Sequence, residues 1–247
     1  MEVAPQINLN WLYTDSRHRL WVVGRKGRIF RYDTARDRFV MTYKLSDLQD
    51  DVTSGTVNCT YMDSNDRIWL CHGDSIVRYD TRAGTTDRID SPAPDDITAI
   101  TQTDSTNFFI GTSNGLLQTI EKEGVLETVA GTYTDSIRIP VSELYFHEDS
   151  KQLFIGTFKE GIIAYGMNTT STIIADGPLQ NVAIKRITPF GKRQLLVATG
   201  GRGVYKIDVD SLSARPYITA DYSNYNGMNG NNINDCLLYT SDAADEL

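Results

Sequence analysis

The chain has 247 residues, 40% of them apolar, and its 24 Lys and Arg against 32 Asp and Glu leave a formal charge of −8. That is enough apolar material for a single all-β domain with a sizeable core, while the acidic balance argues against a nucleic-acid partner, which needs a basic face to displace counterions from phosphates. No stretch approaches the ~18 consecutive apolar residues of a membrane-spanning helix, so no membrane contact is expected within this segment.

In chain order, Met1-Glu2-Val3-Ala4-Pro5 has neither the basic start nor the apolar run of a signal peptide. Strand-like sequence begins by about Asn8. Trp11-Leu12-Tyr13-Thr14 alternates in the manner of a half-buried strand and closes on the polar turn D-S-R-H-R. A second strand follows at Leu20-Trp21-Val22-Val23, and Gly27 then precedes a third that ends at Tyr32-Asp33. A weaker fourth run covers Asp37-Arg38-Phe39-Val40.

This unit recurs. R-I-W-L-C-H-G-D-S-I-V-R-Y-D runs from Arg67 to Asp80, F-F-I-G-T-S-N-G-L-L begins at Phe108, L-F-I-G-T-F-K-E-G-I-I-A-Y at Leu153, and L-L-V-A-T-G-G-R-G-V-Y-K-I-D at Leu195. The aligned anchors Trp21, Trp69, Phe109, Phe154 and Leu196 are 48, 40, 45 and 42 residues apart, the period of a four-stranded propeller blade. Helical repeats share that period, but here the apolar runs are short, bounded by turn signals and never sustain i, i+3, i+4 spacing. Asp and Ser in the first turns (D-S-N-D-R, D-S-T-N and E-D-S-K-Q in later copies) can bond their own backbone two residues on and support a tight reversal. Gly27, Gly115, Gly161 and Gly203 stand at or just before the third strand, where a turn needs a backbone that glycine adopts without steric cost.

A four-stranded meander with two apolar faces cannot stand alone and must stack on its neighbours. The expected fold is therefore all-β, a partial β-propeller of about five blades plus the start of a sixth, with the anchors packing between blades. Residues 1–235 are read as this incomplete domain. Asn224 to Asp235 read as the entry to the sixth blade, comparable to Gly55-Thr56-Val57-Asn58 before the second. From Cys236 the chain reads C-L-L-Y-T-S-D-A-A-D-E-L. That string resembles the translation of a transposase adapter used in sequencing libraries, so 236–247 are expected to be a non-native tail.

Chemistry-bearing residues are sparse. Cys59, Cys71 and Cys236 have no metal-ligand spacing, and Cys59 and Cys71 are expected on neighbouring strands of one blade, as small buried apolar residues rather than as a disulfide. His18, His72 and His147 stand far apart and are read as solvated side chains rather than metal ligands. Asp50-Asp51 and Asp95-Asp96 are read as charged loop tips without calcium-loop spacing. Gly200-Gly201-Arg202-Gly203 precedes a strand and lacks a Lys-Ser/Thr pair, which makes it a hairpin turn and not a phosphate loop. No catalytic residue, metal site or cofactor is expected.

The five units, above all R-L-W-V-V-G…G-R-I-F-R-Y-D, F-I-G-T-S-N-G-L-L and L-F-I-G-T-F-K-E-G-I-I-A-Y, resemble the two-component regulator propeller repeat over about residues 7 to 219. The fourth and fifth copies depart from it at Leu153-Phe154 and Leu195-Leu196, and the second at His72-Gly73. The resemblance implies a seven-bladed parent domain in the periplasmic sensor region of a hybrid two-component histidine kinase. It further implies an oligosaccharide ligand held by aromatic and Arg residues of the loops at one mouth of the propeller or at its junction with a neighbouring propeller, and a homodimer in the full-length protein. The alternatives are a propeller hydrolase or lyase acting on carbohydrate, and a plain interaction scaffold.

Overall fold

The computed structural model describes residues 9–45, 56–130, 137–166, 172–174, 178–209, 217–223, 225 and 230–233. The described residues form twenty strands. They are β1 (Leu9–Thr14), β2 (Leu20–Gly24), β3 (Arg28–Asp33), β4 (Arg38–Lys44), β5 (Cys59–Met62), β6 (Arg67–His72), β7 (Ser75–Asp80), β8 (Thr86–Ile89), β9 (Ile97–Gln102) and β10 (Asn107–Thr112). There follow β11 (Gly115–Lys122), β12 (Val125–Thr128), β13 (Val141–His147), β14 (Gln152–Thr157), β15 (Ile162–Gly166), β16 (Thr172–Ile174), β17 (Ile184–Phe190), β18 (Gln194–Thr199), β19 (Val204–Asp208) and β20 (Tyr217–Tyr222). Each consecutive group of four forms its own antiparallel meander, so the fold is an all-β propeller of five four-stranded blades. No α-helix occurs among the described residues.

The register repeats with the sequence. Tyr13 faces Trp21, Tyr61 faces Trp69, Thr101 faces Phe109, Tyr145 faces Phe154 and Thr188 faces Leu196 across the first two strands of each blade. All five anchors are buried. The first strand of the first, third, fourth and fifth blades carries a β-bulge two to four residues before that pair, a device that bends a strand and increases its twist.

The blades fall into two compact units, residues 1–138 with the first three and 139–247 with the last two. In the first unit the alternation of β6 shows why a blade must stack. Ile68 and Leu70 point into a cluster with Trp21, Val23 and Ile29 of the first blade. Trp69 and Cys71 point the other way, against Ile97, Phe108 and Ile110 of the third. Both faces of the second sheet are thus core, and each fully buried large side chain there stabilises the unit by roughly 1.5–3 kcal/mol. In the second unit Phe154, Ile162 and Ala164 pack against Ile184, Val197 and Ile207 in a corresponding cluster between the fourth and fifth blades.

Two of the recurring glycines are dictated by a close approach. Gly161 and Gly203 have φ of +85° and +84°, and a Cβ on either would collide with a carbonyl oxygen, that of Leu179 and of Tyr222 respectively. Residues 230–233 lie along the fifth blade, where the Ile233 N–H donates to the Thr199 carbonyl at 3.1 Å and the Gly203 N–H donates to Asn231 O at 2.7 Å. Val57 and Ile97 enter the second and third blades by similar bonds to Arg25 O and Gly73 O. The adapter-like tail, 236–247, lies outside the described residues.

Candidate functional site

The two ends of a meander differ in what they can offer a ligand. At one end the first turns are closed by their own side chains. Asp15 Oδ1 accepts the Arg17 and Arg19 amides at 3.0 and 2.9 Å, and its Oδ2 accepts Arg19 Nε at 2.6 Å and the Trp21 indole at 2.8 Å. Asp63 repeats this with the Asn65 and Arg67 amides, Arg67 Nε and Trp69. Burial alone would raise the pKa of Asp15, but the indole, amide and guanidinium donors together hold it below its ordinary value.

These turns also grip the next blade. The Ser16 amide and hydroxyl donate to Asp66 at 2.8 and 2.5 Å, and Arg82 donates to the same carboxylate from Nε and Nη2 at 3.0 and 2.7 Å. Burial opposes ionisation of Asp66, yet the Ser16 and Arg82 donors outweigh it and bring the pKa down to about 2. One blade on, the Ser64 amide donates to Gln102 Oε1, while Arg67 makes a two-pronged pair with Glu121 at 3.1 and 2.8 Å that Arg78 joins. The guanidinium carbons of Arg67 and Arg78 lie 5.7 and 5.3 Å from the Trp69 ring centroid. These bonds cross from one blade to the next and make the network a clamp between blades, with Arg78 Nε and Gln102 Nε2 buried in it without a partner.

His147 belongs to the same structural class. The sequence reading of a solvated side chain is wrong for it. It is buried, with Nδ1 bonded to Ser150 Oγ at 2.8 Å and Nε2 to Lys192 O at 3.0 Å. By register it occupies the position of Asp15 and Asp63, two residues after the first-strand tyrosine, and it links the fourth blade to the fifth. His18 is exposed and His72 half-buried, and the three do not converge. Among the described residues no group of three or more His, Cys, Asp or Glu side chains is placed to hold a metal ion.

The other end of the second blade is open. The β6–β7 turn at Asp74 and Ser75, and the stretch from Arg88 to Pro94 that leaves β8, enclose a cleft of about 450 Å³. The lining is built on fixed backbone. Ile89, at the end of β8, is buried in the core between the second and third blades, so alternation turns its neighbours Arg88 and Asp90 outward. The Ser91 hydroxyl donates to Ala93 O at 2.5 Å, Pro92 and Pro94 restrict the backbone on either side, and Ile97 N donates to Gly73 O at 2.8 Å where the stretch returns to the turn. Arg88, Asp74 and Asp90 are exposed at the rim.

The lining brings together one guanidinium, two carboxylates and two serine hydroxyls beside Pro92 and Pro94, which offers donors and acceptors to a polar ligand. None of the anchors or recurring glycines lines the cleft; they build the blades beneath. The cleft residues do not stand out as a site in the sequence, where Thr86–Ile89 reads as a weak fourth strand. The signal that marks them is the proline-bracketed run D-S-P-A-P-D-D from Asp90 to Asp96. Asp95 and Asp96 do sit in the loop that joins the second and third blades, and Asp50-Asp51 lie outside the described residues.

No protein-family model matches the chain, and no curated protein matches it. Solved structures do match. Two structures of the extracellular domain of BT4673 from B. thetaiotaomicron, named as a one component system in one and as a hybrid two component system in the other, align with 89% and 90% of this chain. Both have a TM-score of 0.66 at 16% identity, and this chain spans 28% and 29% of their length. A catalytically inactive virginiamycin B lyase from Staphylococcus aureus with quinupristin gives a TM-score of 0.66 at 14% identity, over 88% of this chain and 72% of that one. The Cps50 (Swd1) β-propeller domain of Myceliophteria thermophila gives 0.65 at 10% identity, over 90% and 74%. At these identities the likeness establishes the propeller fold.

Proposed function

We infer that the chain is a non-catalytic, ligand-sensing propeller segment of a hybrid two-component regulator, that it works in the periplasm, and that its ligand is a glycan-derived oligosaccharide. The observation that carries this reading is the fold shared with the extracellular domains of the BT4673 system over 89–90% of the chain, together with five in-phase repeats of the two-component regulator propeller type. The open cleft of the second blade supplies hydroxyl-binding chemistry, and its rim lies where loops leave the sheet. In the full-length protein, bound ligand shifts the arrangement of a homodimer by no more than the difference between its affinities for the two arrangements.

A second reading has a specific observation behind it, since the S. aureus lyase is matched as well as the sensor domains. One experiment separates the two. The chain is titrated calorimetrically with a panel of neutral oligosaccharides, and the same mixtures are analysed for products. Saturable heat with intact oligosaccharide supports sensing. Released fragments carrying a new reducing end or a double bond overturn it in favour of a hydrolase or lyase.

A further inference from the structure

The second blade carries two thiols that the sensing role does not use. Cys59 opens β5, Cys71 lies near the end of β6, and the two are directly opposed partners in the antiparallel register. Opposed residues project from the same face of a sheet, and both side chains enter the cluster with Trp69, Ile76 and Ile97. The pairing continues in register through Thr60 and Leu70, and the Asn58 N–H donates to Cys71 O at 2.8 Å, which keeps the two strands bonded at this point. Directly opposed antiparallel residues have Cα atoms roughly 4.5–5.5 Å apart, inside the roughly 4.4–6.8 Å that a disulfide spans.

The geometry points to Cys59 and Cys71 as a redox modification site, an intramolecular disulfide that staples the first strand of the second blade to its second strand. The oxidant is a small-molecule or protein disulfide. The thiolate of Cys59, which is 8% exposed where Cys71 is 0%, attacks one sulfur of that disulfide, forming a mixed disulfide and expelling one thiolate. The Cys71 thiolate then attacks Cys59 Sγ, closing the cross-link and expelling the second thiolate. Two electrons end on the two released thiols, and the protons lost by the cysteines go to them through solvent. Burial makes the first attack wait for local opening of β5, so closure is slow.

The cross-link lowers the entropy of the unfolded chain. It also has a local consequence, because Cys71 precedes by two residues the Gly73 turn that flanks the cleft, so closure stiffens that wall. The inference concerns the second blade alone and stands whether or not the cleft binds a saccharide.

The test uses the full chain carrying Cys236→Ser, held with excess oxidised glutathione and then denatured and alkylated. The expected result is a monomer in which both thiols resist alkylation, with a Cys59–Cys71 linked peptide and an unfolding midpoint a few degrees higher, all reversed by dithiothreitol. Cys71→Ala, or Cys59→Ala if the first variant does not fold, abolishes the linkage. Full alkylation of both residues after oxidation overturns the proposal, as does a glutathione adduct that persists on Cys59 without transfer to Cys71.

Discussion

The Trp69 indole N–H donates to Asp63 Oδ2 at 2.7 Å, and the same bond joins Trp21 to Asp15 at 2.8 Å one blade earlier. In both cases the carboxylate is buried and also accepts two turn amides and an arginine Nε. The acid is therefore a hub, and the turn, the anchor and the arginine that reaches toward the next blade all depend on it. Asp63→Ala leaves the Trp69 N–H and the Asn65 and Arg67 amides without an acceptor and is expected to destabilise the chain by about 3 kcal/mol. Urea unfolding measures this. A loss below about 1 kcal/mol contradicts the hub.

Acid should release the clamp between the first two blades. The Asp66 pKa falls from 3.8 in the unfolded chain to about 2 in the folded one. A group whose folded pKa is depressed contributes stability that is fully present above its unfolded value and is lost as pH falls through the folded value. With Arg82 48% exposed, solvent screening limits the contribution to about 1 kcal/mol or less. The urea midpoint should therefore drop between about pH 4 and pH 2 for the native sequence, and by less for Asp66→Asn, which is already weaker at neutral pH. Parallel curves for the two proteins would show that the Ser16–Asp66–Arg82 contact is idle.

Gly161→Ala should be among the most damaging single methyl additions. It combines a left-handed backbone with a collision against Leu179 O, so the hairpin between β14 and β15 has to move, at a cost of about 2 kcal/mol or more. Gly191→Ala, also at positive φ but with open space around it, should cost only about 1 kcal/mol. Thermal denaturation of the two variants provides the comparison, and equal losses would rule out the collision as the cause.

Arg88→Ala should weaken oligosaccharide binding by tenfold or more while leaving the unfolding midpoint unchanged, because the side chain is exposed and its removal strips no core contact. Calorimetry on the variant and the parent, with the ligand that the panel identifies, is the measurement. Unchanged affinity would move the site away from the second blade.

Much of the fold can be read from the residues because a blade's signals are local. Runs of four to six apolar residues, a turn of Asp and Ser, and a glycine before the third strand all act within about ten residues of one another. Cys59 and Cys71 were placed on neighbouring strands on that basis, and they are directly opposed. His147 escapes a local reading for the same reason. Its Nε2 partner, Lys192 O, is 45 residues away, and a histidine beside Glu148, Asp149 and Ser150 looks solvated when its own turn is all that can be seen. The clamp of Ser16, Asp66 and Arg82 was invisible on the same ground, since the donor and acceptor lie 50 residues apart.

Period, strand type and the two apolar faces follow from the sequence itself, because alternation and turn chemistry act along the chain and repeat with it. What the tertiary structure alone decided is which polar residues are spent inside the molecule and which are left at its surface. Asp15, Asp63, Asp66 and Glu121 are acidic loop or strand residues like Asp74 and Asp90, yet the first four are buried or half-buried among donors from neighbouring strands and blades, while Asp74, which accepts from the adjacent Ser75 hydroxyl, and Asp90 stay exposed at the cleft. A carboxylate's fate is set by the donors that packing delivers to it: Asp15 and Asp63 are met within six residues, but Asp66 and Glu121 depend on residues 43 to 54 positions away.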